Sequence, residues 1–127
     1  MKEKYSARRE QIYQYLAGTK NHPEAEQIYL ALKSENPSLS LATVYRNLSK
    51  FVAEGKAVEI PGANHVIHFD ANLEDHYHFS CQQCGRIYDV DFPAIAFNAK
   101  ELEKIGQVQR HELVFYGICN QCKNKNL

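Results

Sequence analysis

The sequence predicts an α+β chain in two units, three helices and a β-hairpin over residues 1–70 and a β-rich unit with one helix over residues 71–127. Three observations predict it. In the N-terminal half, apolar residues recur at helical i,i+3,i+4 spacing in separate runs bounded by Gly or Pro. In the C-terminal half, short β-type runs alternate with turns. The cysteines, finally, stand as two C-x-x-C pairs in the second unit, Cys81/Cys84 and Cys119/Cys122, with none left over. Four thiolates at that spacing match a closed tetrahedral Zn(II) site. A lone pair would read equally as a redox dithiol or as buried small hydrophobes, but two pairs favour structural zinc. The pairs are too far apart for a minimal zinc ribbon, so the metal is expected to tie strands of a larger unit together.

The elements follow in order. Residues 6–17 read as a helix from Ile12 and Leu16, with Gly18 as the residue just past its end. His22-Pro23 is expected to open a second helix, with Glu24 and Glu26 complementing its dipole and Ala25, Ile28, Tyr29 and Leu32 as its apolar stripe. Ser40 caps a third, from Leu41 to Glu54, whose buried face is Leu41, Val44, Leu48, Phe51 and Val52 and which Gly55 closes. Residues 57–60 and 66–69 then read as two strands around a tight turn at Pro61-Gly62. In the second unit, residues 77–81 and 86–90 flank the first cysteine pair as strands. Residues 94–105 read as a helix ended by Gly106, residues 109–118 as the strand leading to the second pair, and residues 123–127 as a frayed tail. A polar stretch, residues 70–74, marks the boundary between the units.

Composition narrows the function classes. With 44% hydrophobic and 24% charged residues the chain can bury a core and is not of disordered type. No apolar run reaches membrane-spanning length, so no membrane partner is expected. The charged start, MKEKYSARREQ, is not a secretory signal, and metal-type cysteines suit a reducing cytoplasm. The net charge of 0 leaves no electrostatic footprint for nucleic acid, so that argument has to come from pattern.

Three helices followed by a hairpin is the winged-helix pattern, in which the third helix enters the major groove of double-stranded DNA. Its outer face here carries Ala42, Thr43, Tyr45, Arg46, Ser49 and Lys50. Small residues let a helix approach base edges, and Arg46 can read guanine O6 and N7. A solvated helix face would look similar, and only the hairpin directly after it tips the balance toward DNA. A protein reading DNA through one helix per chain is expected to be a homodimer.

A second group of metal-ligand residues lies around the first cysteine pair. His76 and His78 are one residue apart, so on a strand they share a face. Nitrogen and carboxylate donors suit Fe(II), Mn(II), Zn(II) or Co(II). Taken alone, His22 reads equally as a surface histidine, Asp70 as a turn residue and Asp89 as a strand-end charge, while His65 and His68 read as wing or hinge residues. A metallohydrolase would use similar ligands, but no motif places a separate general base, so an enzyme is not expected. A zinc-stabilised interaction module without DNA binding is the third class.

SLATVYRNL (residues 40–48), DHYHFSCQQCG (75–85) and YGICNQC (116–122) together resemble the ferric uptake regulator superfamily of metal-dependent bacterial repressors, over nearly the whole chain. Within it the resemblance is nearest to the peroxide-sensing branch, since Asp89 stands where iron-sensing relatives tend to carry glutamate. The resemblance implies structural zinc at the four cysteines and a regulatory Fe(II) or Mn(II) held by His22, Asp70, His76, His78 and Asp89, with peroxide oxidising a coordinating histidine. The alternative within the superfamily is an iron-, manganese- or zinc-responsive regulator that does not sense peroxide. His111 fits a third-site position of some relatives, but Tyr77 replaces another of its ligands. The family usually carries a helix before the segment that begins here at Tyr5, and the sequence is expected to lack it, with a cost in phosphate contacts.

Overall fold

The computed structural model of the chain describes residues 2–73, 77–91, 97–109 and 111–125. Three helices come first: α1 (Lys2–Gly18), α2 (Ala25–Leu32) and α3 (Leu41–Ala53). Strands β1 (Val58–Pro61) and β2 (Ile67–Asp70) pair antiparallel, joined through a 3-10 turn, Ala63–His65. A second sheet has the order β4-β3-β5, built from β3 (Tyr77–Cys81), β4 (Ile87–Val90) and β5 (Val114–Gly117). Two short helices, α4 (Ala99–Glu103) and α5 (Asn120–Lys125), stand on either side of β5 in sequence. None of the described helices is long and apolar enough to cross a membrane.

The helical stripes meet in one core. Ile12 and Leu16 of α1, Ala25 and Ile28 of α2, and Val44, Leu48 and Phe51 of α3 are buried together with Leu39, Ala57 and Phe69. Full burial of a Leu, Ile or Phe side chain contributes about 1.5–3 kcal/mol, so this cluster is the main favourable term of the N-terminal unit. Tyr13 packs edge-on against Phe51, with ring centroids 5.3 Å apart. Helix α3 begins and ends for local reasons. Ser40 Oγ accepts the Thr43 N–H at 3.1 Å. At the far end Gly55 has φ of 75°, Lys56 N–H donates to Phe51 C=O at 2.8 Å and Gly55 N–H to Val52 C=O at 3.1 Å, a Schellman closure.

Several boundaries differ from the sequence expectation, each for a physical reason. Helix α1 runs through Gly18, which does not adopt positive φ. Helix α2 does not open at His22-Pro23. Glu24 caps it, in a reciprocal box with Gln27, and Pro23 is used to run alongside β2, where its C=O accepts the Phe69 N–H at 2.9 Å. The hairpin turn is longer than a Pro61-Gly62 pair, because Pro61 closes β1 and the reversal is made by Asn64 and His65, both at positive φ. Helix α4 is capped by Asn98 and begins at Ala99, later than position 94; residues 94–96 of the expected helix lie outside the described residues. Strand β5 is confined to Val114–Gly117, and the expected tail is a helix through Lys125, anchored by buried Cys122.

Among the described residues the second sheet buries Tyr77 of β3 and Ile87 of β4. Its buried cluster is Cys81, Cys119 and Cys122, with Phe79 and Tyr88 packed against it. The cap on α3 provides a direct check of the N-terminal architecture. Ser40→Ala is expected to destabilise that unit by about 1 kcal/mol, read as a lower urea midpoint at unchanged slope; an unchanged midpoint would show that the cap contributes nothing.

Candidate metal centres

The four cysteines are gathered by the sheet. Cys81 ends β3, and the turn after it, with Gly85 at φ of 79°, brings Cys84 back beneath the strand. The parallel pairing of β3 with β5 sets Gly117 opposite Cys81, so the chain leaving β5 delivers Cys119 and then Cys122 on α5. Sγ–Sγ distances are 3.9 Å for Cys81–Cys122 and 3.8 Å for Cys84–Cys119. A tetrahedral ion with metal–sulfur bonds of about 2.3 Å requires edges of about 3.8 Å. Cys84 N–H and Cys119 N–H both point to Cys81 Sγ, at 3.4 and 3.3 Å. Burial would raise the Cys81 pKa, but these backbone donors bring it down to about 6. Cys122 is pushed the other way, to about 12, by burial and by the neighbouring thiols of Cys119, Cys84 and Cys81. Four thiolates this close are tolerated only around a cation, and the donor set fits Zn(II).

The second centre draws one side chain from each of four segments. His22 comes from the loop before α2, Asp70 from the end of β2, His78 from β3 and Asp89 from β4. Antiparallel pairing makes His78 and Asp89 direct cross-strand partners. Their ligand atoms all lie within 4.8 Å of one another. His22 Nε2 stands 2.8 Å from Asp89 Oδ1 and 3.4 Å from Asp70 Oδ2, and His78 Nε2 stands 3.4 Å from the same two oxygens. The imidazoles meet edge to face, with centroids 5.2 Å apart. His22 is only 4% exposed, and His78 and Asp70 are also buried, whereas the Asp89 side chain is 46% exposed and forms the solvent side of the centre.

The electrostatics of this group call for positive charge. Burial would raise the Asp70 pKa, yet hydrogen bonds from His22, His78 and the Asn72 N–H hold it well below the usual carboxylate range. Burial would lower that of His22, but hydrogen bonds to Asp70 and Asp89 outweigh it and keep the ring above its ordinary 6.5. Two carboxylates and two ring nitrogens converging in this way fit a divalent cation, and nitrogen–oxygen donors without sulfur suit Fe(II), Mn(II), Zn(II) or Co(II).

Of the five residues expected at this centre, four are thus brought together, and His76 lies outside the described residues. His111 does not join a cluster: its Nε2 is 3.0 Å from Tyr77 Oη. Among the described residues no further group of three or more such side chains converges. On α3, Ala42, Tyr45, Arg46, Ser49 and Lys50 are exposed, Thr43 is half-buried, and Tyr45 is 50% exposed. The side chain that sequence reasoning undervalued is His68. It is buried beside His22, and the only local signal for it was its position two residues before Asp70 on one strand face.

The chain is 36% identical over 123 residues to the peroxide-responsive repressor PerR of Staphylococcus aureus strain USA300, covering 92% of this chain and 80% of the relative. The structure superposes on the peroxide stress regulator of Campylobacter jejuni with a TM-score of 0.74 at 33% identity, covering 94% of this chain and 91% of the other. The ferric uptake regulator of Helicobacter pylori shares the fold, with a TM-score of 0.80 at 23% identity over 96% of this chain and 86% of its own. Residues 1–116 match the ferric uptake regulator family, and the chain belongs to that family.

Proposed function

We propose that this chain is a metal-dependent, peroxide-responsive transcriptional repressor. The observation that carries the reading is the convergence of His22, from the helical unit, with His78 and Asp89, from the second sheet, around Asp70 between them. In this reading residues 1–70 are a winged-helix DNA-binding domain and residues 71–127 a dimerisation domain. A cation at His22, Asp70, His78 and Asp89, with His76 as a fifth donor, joins the two. Joining them favours one arrangement of the DNA-binding domains, and a ligand that prefers one arrangement shifts the population toward it. A tenfold gain in DNA affinity requires only about 1.4 kcal/mol of such coupling.

The chain's own residues set how the centre responds. Asp89, open to solvent, gives small solutes access, while buried His22 and His78 hold the ion away from water on the other side. His22, Asp70, His78 and Asp89 would hold the Fe(II), whose redox chemistry would let peroxide transfer one oxygen to a neighbouring histidine ring, the other peroxide oxygen leaving as water. A ring that has gained oxygen is a poorer donor, so the link between the domains loosens and the operator is released. Dimer formation is supported by β5, which has β3 on one side only within the described sheet and exposes Phe115 and Tyr116.

The experiment is a DNA-binding assay with Mn(II), Fe(II) or chelator, before and after brief peroxide, followed by peptide mass spectrometry. The Fe(II) form is expected to lose binding and to gain one oxygen on a peptide containing His22 or His76, while the Mn(II) form does neither. Loss of binding with both histidines unmodified would replace this reading with that of a plain metal-responsive regulator.

The zinc assignment has its own readout. Elemental analysis is expected to find one tightly held zinc per chain, and Cys119→Ser to lose it together with the thermal transition of the C-terminal unit. A Cys119→Ser protein as stable as the parent would remove the zinc assignment. For the helix face, Arg46→Ala is expected to cost about 1–3 kcal/mol and to relax preference at one base pair. Lys50→Ala is expected to weaken binding to all sequences and flatten its salt dependence. Unchanged operator preference in Arg46→Ala would exclude base reading by that side chain.

A further inference from the structure

The His22 ring reaches the two carboxylates from an unusual backbone state. His22 has φ of 51°, in the left-handed region, where a residue with a side chain persists only if its surroundings over-determine it. Two contacts from β2 provide that constraint. One is between main chains: Phe69 N–H donates to Pro23 C=O at 2.9 Å. The other is made by a side chain, with His68 Nδ1 lying 2.7 Å from the His22 carbonyl oxygen. A carbonyl oxygen only accepts, so His68 Nδ1 is the donor and carries the proton.

The surroundings of His68 are shaped to hold this ring. It is buried, and it lies so close to Gly62 that a Cβ there would stand 2.6 Å from both Cδ2 and Nε2. Gly62 has φ of −109°, which any residue can adopt, so the absence of a side chain there is a matter of space and not of backbone freedom. His68 and Asp70 share one face of β2. That face therefore supplies both a donor to the main chain of His22 and an acceptor for its ring.

We propose that His68 is a positioning residue of the His22, Asp70, His78 and Asp89 centre, fixing the His22 peptide so that its ring is aimed at the ion, while Gly62 keeps the space in which His68 sits. The inference rests on that centre being a metal site. His68 itself is not a donor to the ion, since Nδ1 is committed to the His22 carbonyl and the ring stands outside the group of four.

The test is Co(II) titration of the zinc-replete full-length protein, following the visible absorption of Co(II) at the nitrogen–oxygen centre. His68→Asn keeps a donor where Nδ1 stood, and His68→Leu has the same branching without one. Loss of an orienting partner typically weakens metal binding about 10–100-fold, so His68→Leu is expected to bind Co(II) at least ~10-fold more weakly with an altered spectrum. His68→Asn is expected to keep the parent spectrum and affinity. Gly62→Ala, which retains every polar group but displaces the ring, is expected to weaken Co(II) binding, and with His68→Asn it carries the test should His68→Leu not fold. Parent-like binding by His68→Leu, or by Gly62→Ala, overturns the proposal, as does His68→Asn binding as weakly as the leucine variant. His22→Ala separates the two levels. If it also binds like the parent, the metal-centre reading falls and the inference with it; if it loses Co(II) while His68→Leu does not, only the inference falls.

Discussion

Two carboxylates placed around one pair of imidazoles set the terms for this molecule. Asp70 Oδ2 and Asp89 Oδ1 both lie within 3.4 Å of His22 Nε2 and His78 Nε2, and three of the four side chains are buried. Buried Asp70 is held ionised by hydrogen bonds from His22, His78 and the Asn72 N–H, while Asp89 faces solvent. Hydrogen bonds to the two carboxylates raise the His22 pKa against the effect of burial, and a divalent cation would fit the same four donors. The four residues come from the loop before α2, from β2, from β3 and from β4, so the centre links the helical unit to the second sheet. Regulation of DNA binding by metal, as proposed here, needs nothing beyond that geometric link.

The cysteine cluster solves a different problem. The helical unit has a conventional core of aliphatic and aromatic side chains, whereas the described residues of the second unit bury Tyr77 and Ile87 together with a cluster of Cys81, Cys119 and Cys122 beside Phe79 and Tyr88. A small sheet is hard to stabilise by burial alone. Thiolates around an ion would add cohesion at the point where β3, the turn after it, and α5 meet. Several large apolar residues of the same unit remain exposed, among them Phe97, Val108, Tyr116 and Ile105, the last at 88%. That distribution suits a surface covered by a second copy of the chain, in keeping with the proposed dimer. The two centres also share a strand, since His78 and Cys81 both belong to β3.

Much was legible in the sequence where the determining interactions are local. Helix α3 was bounded correctly because its cap, its apolar stripe and its closing glycine all act within a few residues of one another. The four cysteines could be grouped from spacing and chemistry alone, since C-x-x-C pairs have few other uses in such a chain. The antiparallel strands either side of the first pair followed from the turn that the pair itself requires.

The tertiary structure decided what depends on distant partners. His22-Pro23 looks like a helix start, but its backbone is claimed by β2, whose Phe69 and His68 are far along the chain, and the helix opens later at Glu24. The reversal between β1 and β2 uses Asn64 and His65 at positive φ, a choice set by the pairing register and not by the Pro-Gly dipeptide. The C-terminal residues form α5 because Cys122 is held in the cysteine cluster, which no local propensity of NQCKNK would indicate. Single residues such as Asp70 and Asp89 acquire meaning only from convergence in space, and His68 only from a main-chain carbonyl. Composition and spacing determine which chemistry the chain can hold; long-range packing determines which side chains come close enough to perform it.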